Sequence, residues 1–222
     1  MKRHIFLSAL ALITLPLAAS AQTAETTIDR AVAAYARLNS MRAEFRQTLT
    51  NPLTGTTQAT SGELIRRKPN LMSISFNNGD RVAADGSTLW VYLPSSVPGQ
   101  VIRVPYTGGN AGSVDPADQF LDSPRTRYTI TLGGAATIGG RATRVLSLVP
   151  KRKNDVVARA KLWIDDQDYS LRQFEVESAN GLKRKVVITS FTANPQLDRS
   201  KFRFTVPRGA KVVDQNTIGG AF

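Results

Sequence analysis

Ser61–Leu93, with the sequence SGELIRRKPNLMSISFNNGDRVAADGSTLWVYL, is the stretch that predicts the fold of this chain. It contains four or five short strand-like runs separated by sharp turns. Asn78-Gly79 and Asp85-Gly86 are hairpin signals, because both central residues of a tight type I′ turn need a positive φ. Such a succession of strands and tight turns is typical of an antiparallel sheet.

Side chains in this stretch alternate between two faces. Over Asn70–Phe76, residues Met72, Ile74 and Phe76 point to one face and the intervening side chains to the other. The next strand, Thr88–Leu93, is apolar on both faces. We therefore expect this strand to be covered on both sides.

The rest of the chain adds a helix before these strands and further strands after them. Apolar residues recur at spacings of three and four from Ile28 to Leu38, which predicts an amphipathic helix capped at Thr26-Thr27 and ending near Asn39-Ser40. Strand patterns follow over Met41–Leu49, Gln100–Val104, Arg127–Leu132, Ala142–Val149, Ala158–Ile164, Leu171–Ser178 and Arg184–Phe191. Roughly ten or eleven strands with only two helices indicate one large, curved antiparallel sheet.

The second helix is short and is predicted over Pro116–Asp122. Asp115 is a residue type that caps helix N termini, and it directly precedes a proline suited to the first turn. A glycine-rich approach over residues 108–112 comes before it, and the helix carries Phe120 and Leu121. These features predict either a hinged lid over the sheet or a fixed structural plug.

The N terminus is organised like a secretory signal peptide. Lys2 and Arg3 precede an apolar run over Ile5–Leu17, and Ala19-Ser20-Ala21 forms a small-x-small cleavage signal. The apolar run is shorter than the ~20 residues that span a bilayer, so an uncleaved membrane anchor is the weaker alternative. We expect residues 1–21 to be removed and residues 22–222 to form a single exported domain.

Composition excludes several kinds of active site. The chain has no cysteine, and its only histidine, His4, leaves with the signal segment. Cysteine nucleophiles, zinc sites built from cysteine or histidine, Ser-His-Asp triads and disulfides are therefore absent from the mature chain. This composition suits a periplasmic protein that has no lipid-modified N-terminal cysteine. We expect neither a cofactor nor a metal, and no enzyme.

Two acidic groups can be compared with catalytic or metal-binding patterns. Asp165, Asp166 and Asp168 share one turn but lack the glycine and terminal glutamate of an EF-hand loop, so we expect them to solvate a hairpin. Glu175 and Glu177 alternate on one strand, which is typical of the solvent-exposed face of a half-buried sheet. Neither group predicts an active site.

The positive charge of the chain favours anionic partners. The net charge is +12, and three basic triplets lie at Arg66-Arg67-Lys68, Lys151-Arg152-Lys153 and Lys183-Arg184-Lys185. Lipid headgroups, acidic protein patches and nucleic acid all attract such a chain, although the charge also serves solubility alone. Binding of single-stranded nucleic acid needs exposed aromatic side chains, whereas the nearby aromatics are expected to face inward. We expect no nucleic-acid partner.

Four segments of the chain resemble one known family. Arg67-Lys68-Pro69-Asn70-Leu71 followed by Asp85-Gly86-Ser87-Thr88-Leu89-Trp90-Val91-Tyr92 is similar to the periplasmic outer-membrane lipoprotein carrier family, LolA. Met41–Gln47 looks like the first strand of that family, and Lys201–Gly209 resembles its C-terminal signature. The resemblance covers most of Gln22–Asp214 with the segments in the same order.

The resemblance implies a mainly β fold with helices (α+β): an unclosed antiparallel β-barrel of about eleven strands, with an N-terminal helix and a short helical lid over an apolar cavity. In the family, an arginine just before the Pro-Asn pair hydrogen-bonds to the lid and keeps the empty cavity closed. That position is Lys68 here, with Arg67 before it, so these two residues are the expected lid latch. The residues expected to line the cavity are Phe45, Met72, Ile74, Phe76, Trp90, Phe120, Leu121 and Trp163.

The resemblance also implies a function in lipoprotein transport. Carriers of this family are monomers without cofactors that take acylated lipoproteins from an inner-membrane ABC-transporter complex and deliver them to an outer-membrane lipoprotein receptor. A soluble carrier is physically necessary, because transferring an acyl chain of ~15 methylenes into water costs on the order of 12 kcal/mol. The alternative is a periplasmic sensor module of the same fold that binds a protein or peptide, which a filled sheet interior would favour.

Overall fold

A computed structural model describes residues 23–106, 115–152 and 157–215. The predicted signal segment and the glycine-rich approach at 108–112 lie outside these residues. The helices are α1 (Ala24–Ala36), α2 (Pro116–Leu121) and α3 (Pro124–Arg127), with a 3₁₀ turn at Arg199–Phe202. The strands are β1 (Ser40–Asn51), β2 (Thr56–Arg67), β3 (Leu71–Phe76), β4 (Arg81–Asp85), β5 (Thr88–Tyr92), β6 (Gln100–Pro105), β7 (Tyr128–Ile138), β8 (Arg141–Pro150), β9 (Arg159–Asp165), β10 (Leu171–Glu177), β11 (Lys183–Ala193) and β12 (Lys211–Asp214).

All described strands belong to one sheet with the order β12-β6-β5-β4-β3-β2-β1-β11-β10-β9-β8-β7. Neighbouring strands are antiparallel except for β12, which runs parallel to β6. The edge strands β12 and β7 are not hydrogen-bonded to each other, so the barrel is unclosed. The predicted fold class is therefore confirmed. The parallel strand β12 was missing from the prediction.

Helix α1 starts and ends earlier than predicted. Its N-cap is Thr23, whose hydroxyl accepts a hydrogen bond from the backbone N–H of Thr26 at 3.2 Å. The helix ends at Ala36, three residues before Asn39, whose carbonyl accepts from the backbone N–H of Lys68 at 2.8 Å. The chain therefore leaves the helix and begins to pair with the sheet before the apolar helical pattern has ended.

Both predicted hairpins are present, but their turns are not of type I′. Gly79 and Gly86 have φ values of +91° and +107°, whereas Asn78 and Asp85 are not in the positive-φ region. The Asp85 carboxylate instead accepts from the backbone N–H groups of Ser87 and Thr88 at 3.0 and 2.9 Å. A side chain therefore supplies part of the stabilisation that a second positive φ gives to a type I′ turn.

The edge strand β7 is interrupted by a bulge. Its register against β8 shifts between Leu132 and Ala135, and Gly134 in this interval has a φ of +105°. The side chain of Leu132 is 45% exposed beside the bulge. The outermost backbone of this edge is consequently irregular.

The sheet has an inner face that encloses one hydrophobic cluster. This inner cluster combines buried residues of every strand from β1 to β11 with Ile28 of α1 and Phe120 of α2. Eleven strands laid flat would extend over roughly 50 Å, because neighbouring strands lie about 4.8 Å apart. A single cluster can touch all of them only if the sheet curves around the two helices.

The C-terminal segment covers part of the opposite, outer face. Phe202 has no exposed surface and forms a second cluster with Leu197, Ile65 of β2 and Leu71 of β3. The Phe204 ring stacks on Trp90 of β5 at 5.6 Å between centroids. The prediction that β5 is covered on both sides is therefore confirmed.

Candidate functional site

Most of the predicted cavity residues meet in the inner cluster. Phe45, Met72, Ile74, Phe120 and Leu121 are buried members of it, and Phe76 packs against them. These side chains come from β1, β3 and α2, which are distant in sequence, and the alternation of each strand turns them to the same side. The result is a continuous apolar surface on the inner face.

Trp90 and Trp163 were predicted for the cavity, and their placement is a correction. In β5 the inner-cluster residues are Leu89 and Val91, so Trp90 between them faces outward and donates through Nε1 to the Asp85 carboxylate at 3.0 Å. In β9 the inner residues are Leu162 and Ile164, which likewise turns Trp163 to the outer face. Strand alternation therefore excludes both indoles from the interior.

A glycine makes room for one of the aromatic rings in the interior. Gly62 of β2 is paired with Phe45 of β1 and with Phe76 of β3. A Cβ atom at Gly62 would lie 2.8 Å from the Phe45 ring and 2.4 Å from the carbonyl oxygen of Ser75. The Phe45 ring can therefore pack edge-on against Phe76, at 5.5 Å between centroids, only because position 62 has no side chain.

Helix α2 is present where it was predicted, and its apolar side chains lie inside the inner cluster. Phe120 has no exposed surface, and its ring centroid lies 5.7 Å from that of Phe174 and 6.4 Å from that of Tyr128. The Tyr128 hydroxyl also donates to the Gln119 carbonyl at 3.1 Å. In this structure α2 therefore fills the interior in the position of a plug. The space that it was expected to cover is occupied by its own side chains.

A single carboxylate joins α2 to α1 and β2. Asp115 caps α2 by accepting from the backbone N–H of Ala117 at 2.9 Å. The other oxygen of the Asp115 carboxylate accepts from the Tyr35 hydroxyl of α1 and from Nη1 of Arg66 of β2, the latter at 3.0 Å. The Arg66 guanidinium also lies 4.5 Å from the Tyr35 ring centroid and 3.6 Å from the Asp118 carboxylate. We call these four residues, Tyr35, Arg66, Asp115 and Asp118, the closing contact.

The Arg66–Asp115 ion pair of the closing contact is largely withdrawn from water. The side chains of Arg66 and Asp115 are only 16% and 6% exposed. Burial, assisted by the nearby charge of Asp115, raises the pKa of Tyr35 well above its usual value of 10.0. Tyr35 therefore keeps its proton and remains a hydrogen-bond donor at any physiological pH.

Arg67 and Lys68 were the predicted latch, and neither contacts α2. Arg67 faces outward, where its Nη1 donates to the Leu197 carbonyl at 2.6 Å. Lys68 donates through Nζ to the carbonyl of Ala36, the last residue of α1, at 2.5 Å. The residue that reaches α2 is Arg66, because it lies on the same face of β2 as Leu64.

Arg66 was missed because the alternation of β2 does not say which of its two faces is inside. Leu64 and Arg66 alternate with Ile65 and Arg67, so one pair faces inward and the other outward. Each pair consists of one aliphatic residue and one arginine, and only the pairing of Arg66 with Met72 of β3 shows which pair is inside. The correct choice therefore required the strand register.

The acidic turn after β9 is a structural ion-pair network, which corrects the expectation of a solvated hairpin. The Asp165 side chain is 1% exposed and lies 2.6 Å from Nε of Arg141 and 3.0 Å from Nε of Arg172. Burial opposes its charge, but hydrogen bonds from Arg141 and from two backbone N–H groups hold its pKa well below the usual range.

Within residues 23–106, 115–152 and 157–215, no group of His, Cys, Asp or Glu side chains is arranged to hold a metal ion. In the same residues, no helix is long and apolar enough to cross a bilayer.

Comparisons with known proteins agree with this architecture. A family model described as "Outer membrane lipoprotein carrier protein LolA" matches residues 36–107 and 123–205, so α2 falls in the gap between the two matched parts. The outer-membrane lipoprotein carrier protein of Sodalis glossinidius (strain morsitans) is 28% identical over 97% of this chain and 99% of its own length.

Solved structures show the same fold at low sequence identity. An uncharacterized conserved protein from Thermus thermophilus is 14% identical, with a TM-score of 0.56 over 86% of this chain and 99% of its own. The MucA/MucB complex structure from Pseudomonas aeruginosa is 14% identical, with a TM-score of 0.50 over 82% of this chain and 61% of that one. At such identities the likeness concerns the fold alone.

Proposed function

The chain belongs to the outer membrane lipoprotein carrier family LolA, and on that premise we propose that it holds the acyl chains of lipoproteins against the inner face of its sheet. It collects them from an inner-membrane ABC-transporter complex and delivers them to an outer-membrane receptor. It reaches the periplasm after residues 1–21 are removed. One observation supports this proposal most: a large apolar inner face is covered by a short helix that a polar contact holds in place.

The proposed binding surface consists of inner-face residues that α2 covers in this structure. Phe45, Met72, Ile74 and Phe76 line the site, and acyl chains take the space that Phe120 and Leu121 occupy. Met72 suits variable hydrocarbon shapes because methionine is unbranched and flexible. In this scheme α2 is a plug when the carrier is empty and a lid when it is loaded.

Free energies of the expected size allow cargo to displace α2. Uncovering Phe120 and Leu121 costs roughly 3–6 kcal/mol, and separating Arg66 from Asp115 costs ~3 kcal/mol more. One chain of ~15 methylenes gains on the order of 12 kcal/mol on leaving water. Binding is therefore favourable against water by only a few kcal/mol per chain. Such a margin permits transfer to a partner with a similar apolar site.

The test measures how the closing contact competes with cargo. In a displacement assay with a fluorescent fatty acid, we expect the wild-type protein to bind and Arg66→Leu to bind about tenfold or more tightly, since the closed state is destabilised by at least the ~1.4 kcal/mol that corresponds to a factor of ten. Arg67→Gln is the matched control, because this neighbour faces outward, and its affinity should equal that of the wild type. A folded wild-type protein that binds no acyl probe would refute the carrier.

A sensor that binds a protein or peptide is the second candidate. The observation in its favour is the position of Phe120, which has no exposed surface in the inner cluster and so leaves the interior closed. A sensor would keep α2 as a permanent plug, and Arg66→Leu would then lower stability without creating affinity for acyl probes. The same assay therefore separates the two candidates.

A further inference from the structure

Arg184 lies on the inner face of the sheet, outside the closing contact. Arg184 of β11 is paired with Leu49 of β1 and with Val176 of β10. Val186, two residues further along β11, is a buried member of the inner cluster. Because strand side chains alternate, Arg184 faces the same side as Val186.

Arg184 is the charged member of an otherwise uncharged row that crosses the sheet. Following the strand pairs at this level, the row consists of Gln58, Leu49, Arg184, Val176, Ala160, Leu148 and Ile130. The next row toward the middle of the strands contains Val186, Phe174 and Leu162, all buried in the inner cluster. Arg184 is half-buried, and it therefore lies at the rim of the apolar interior.

The carboxylates closest in sequence to this position face the other way. Glu175 and Glu177 lie on the outer face of β10, where they pair with Lys185 at 3.6 Å and with Arg159 at 2.6 Å. Within the part of the chain that the structure describes, the Arg184 side chain has no ion pair and no hydrogen bond. Burial lowers the pKa of its guanidinium, since no neighbouring carboxylate offsets the loss of water.

A half-buried guanidinium that no protein group engages keeps its donors available to a ligand at the rim. The group offers five N–H donors and no acceptor, and it matches carboxylate and other oxygen acceptors. An acyl chain has such acceptors at one end only. Resting on the acyl-chain carrier proposed above, we propose that Arg184 binds the oxygen atoms at the polar end of an acyl chain whose methylenes lie on the inner face.

This placement gives the bound chain a direction. The methylenes extend toward Phe174 and Phe45, and the oxygen-bearing end stays at the rim beside Leu49 and Val176. The rim is where the protein part of a lipoprotein must leave the carrier. Arg184 thus selects ligands by the chemistry of their polar end, whereas the inner cluster selects them by their hydrocarbon.

The experiment compares two amphiphiles with the same chain length and opposite charge. Palmitate and hexadecyltrimethylammonium are titrated calorimetrically into the purified mature protein, below the concentrations at which they form micelles. Arg184→Met, which keeps an unbranched apolar side chain and loses the guanidinium, should weaken palmitate binding about tenfold or more. Binding of the ammonium probe should stay equal or become tighter. Arg184→Lys should recover part of the affinity for palmitate.

Lys183→Met is the matched control, because Lys183 is adjacent in β11 and faces outward. It should change both affinities by less than about threefold, since one exposed charge contributes little. Equal effects of Arg184→Met and Lys183→Met on palmitate would overturn the role of Arg184. So would an equal loss for both probes, which would mean that the side chain supplies only apolar packing.

Stability provides an independent readout. Because Arg184 has no partner in the empty protein, Arg184→Met should unfold at the same temperature as the wild type or higher. A midpoint lowered by more than about 5 °C would overturn the inference by giving Arg184 a structural role. If the wild type binds neither amphiphile, the carrier proposal itself fails. If it binds both without any dependence on Arg184, only the present inference fails.

Discussion

Asp115→Asn tests whether the Asp115 carboxylate holds α2 in place over the inner face. Asparagine caps helices as well as aspartate does, so the hydrogen bond from the Ala117 backbone N–H should persist. With the amide oxygen kept at the cap, the amide NH2 replaces the oxygen that faces Arg66 at 3.0 Å, so the substitution removes both the negative charge and the acceptor that Arg66 and Tyr35 share. It therefore separates the ion pair from the cap of α2.

The size of the effect follows from the burial of the pair. Removing one partner of a buried ion pair costs about 3–5 kcal/mol. Asp118 already lies 3.6 Å from the guanidinium of Arg66 and can replace part of the lost interaction. We therefore expect Asp115→Asn to lower the free energy of unfolding by about 2–3 kcal/mol, which corresponds to a fall of roughly 5–10 °C in Tm for a domain of this size.

The assay is urea and thermal unfolding of the wild type, both single variants and the double variant. Arg66→Leu is the second single variant, and the cycle should show a coupling energy of at least about 1 kcal/mol between the two positions. Asp122→Asn, at the exposed end of the same short helix, should stay within about 0.5 kcal/mol of the wild type. An additive cycle, or an Asp115→Asn protein as stable as wild type, would refute the closing contact.

Three further predictions concern the rest of the fold. Gly62→Ala should lower the free energy of unfolding by about 1–3 kcal/mol in urea, because its new Cβ would overlap the Ser75 carbonyl; wild-type stability would contradict the packing of Phe45. Phe202→Ala should cost about 3–5 kcal/mol while leaving the affinity for palmitate unchanged, because it packs on the outer face; a loss of affinity at equal folding would contradict the separation of the faces. Since the pKa of Asp165 is lowered in the folded state, its stabilisation is present above about pH 4 and is lost as pH falls further. Acid titration of unfolding should therefore be flatter for Asp165→Asn than for wild type, and parallel titration curves would argue against the network.

Local patterns were enough to predict most of the fold. The alternation over residues 70–76, the glycines of the two hairpins and the Asp115-Pro116 pair each depend on neighbouring residues, and each appears in the structure. Strand β12 could not be predicted in the same way. It covers only Lys211–Asp214, and its parallel partner β6 lies more than a hundred residues earlier in the chain.

The site was predicted less well, because its composition depends on which face of each strand is inside. Trp90 lies between Leu89 and Val91, so either phase of β5 gives an apolar inner face, and the sequence alone left open which face lines the interior. The same ambiguity applies to β2, where Arg66 and Arg67 follow Leu64 and Ile65. Periodicity fixes which residues share a face, whereas only pairing with the neighbouring strand decides which face is buried.

The bulge in β7 limits edge-to-edge association of this protein at high concentration. A sheet that does not close on itself leaves edge hydrogen-bonding groups available, and a long regular edge invites pairing with another molecule and fibril growth. The register shift at Gly133 and Gly134 breaks this edge into two short pieces that are out of phase with each other. A foreign strand can therefore dock along only a few residues at a time. The open barrel is thus protected against self-association although its edge strands β12 and β7 do not pair.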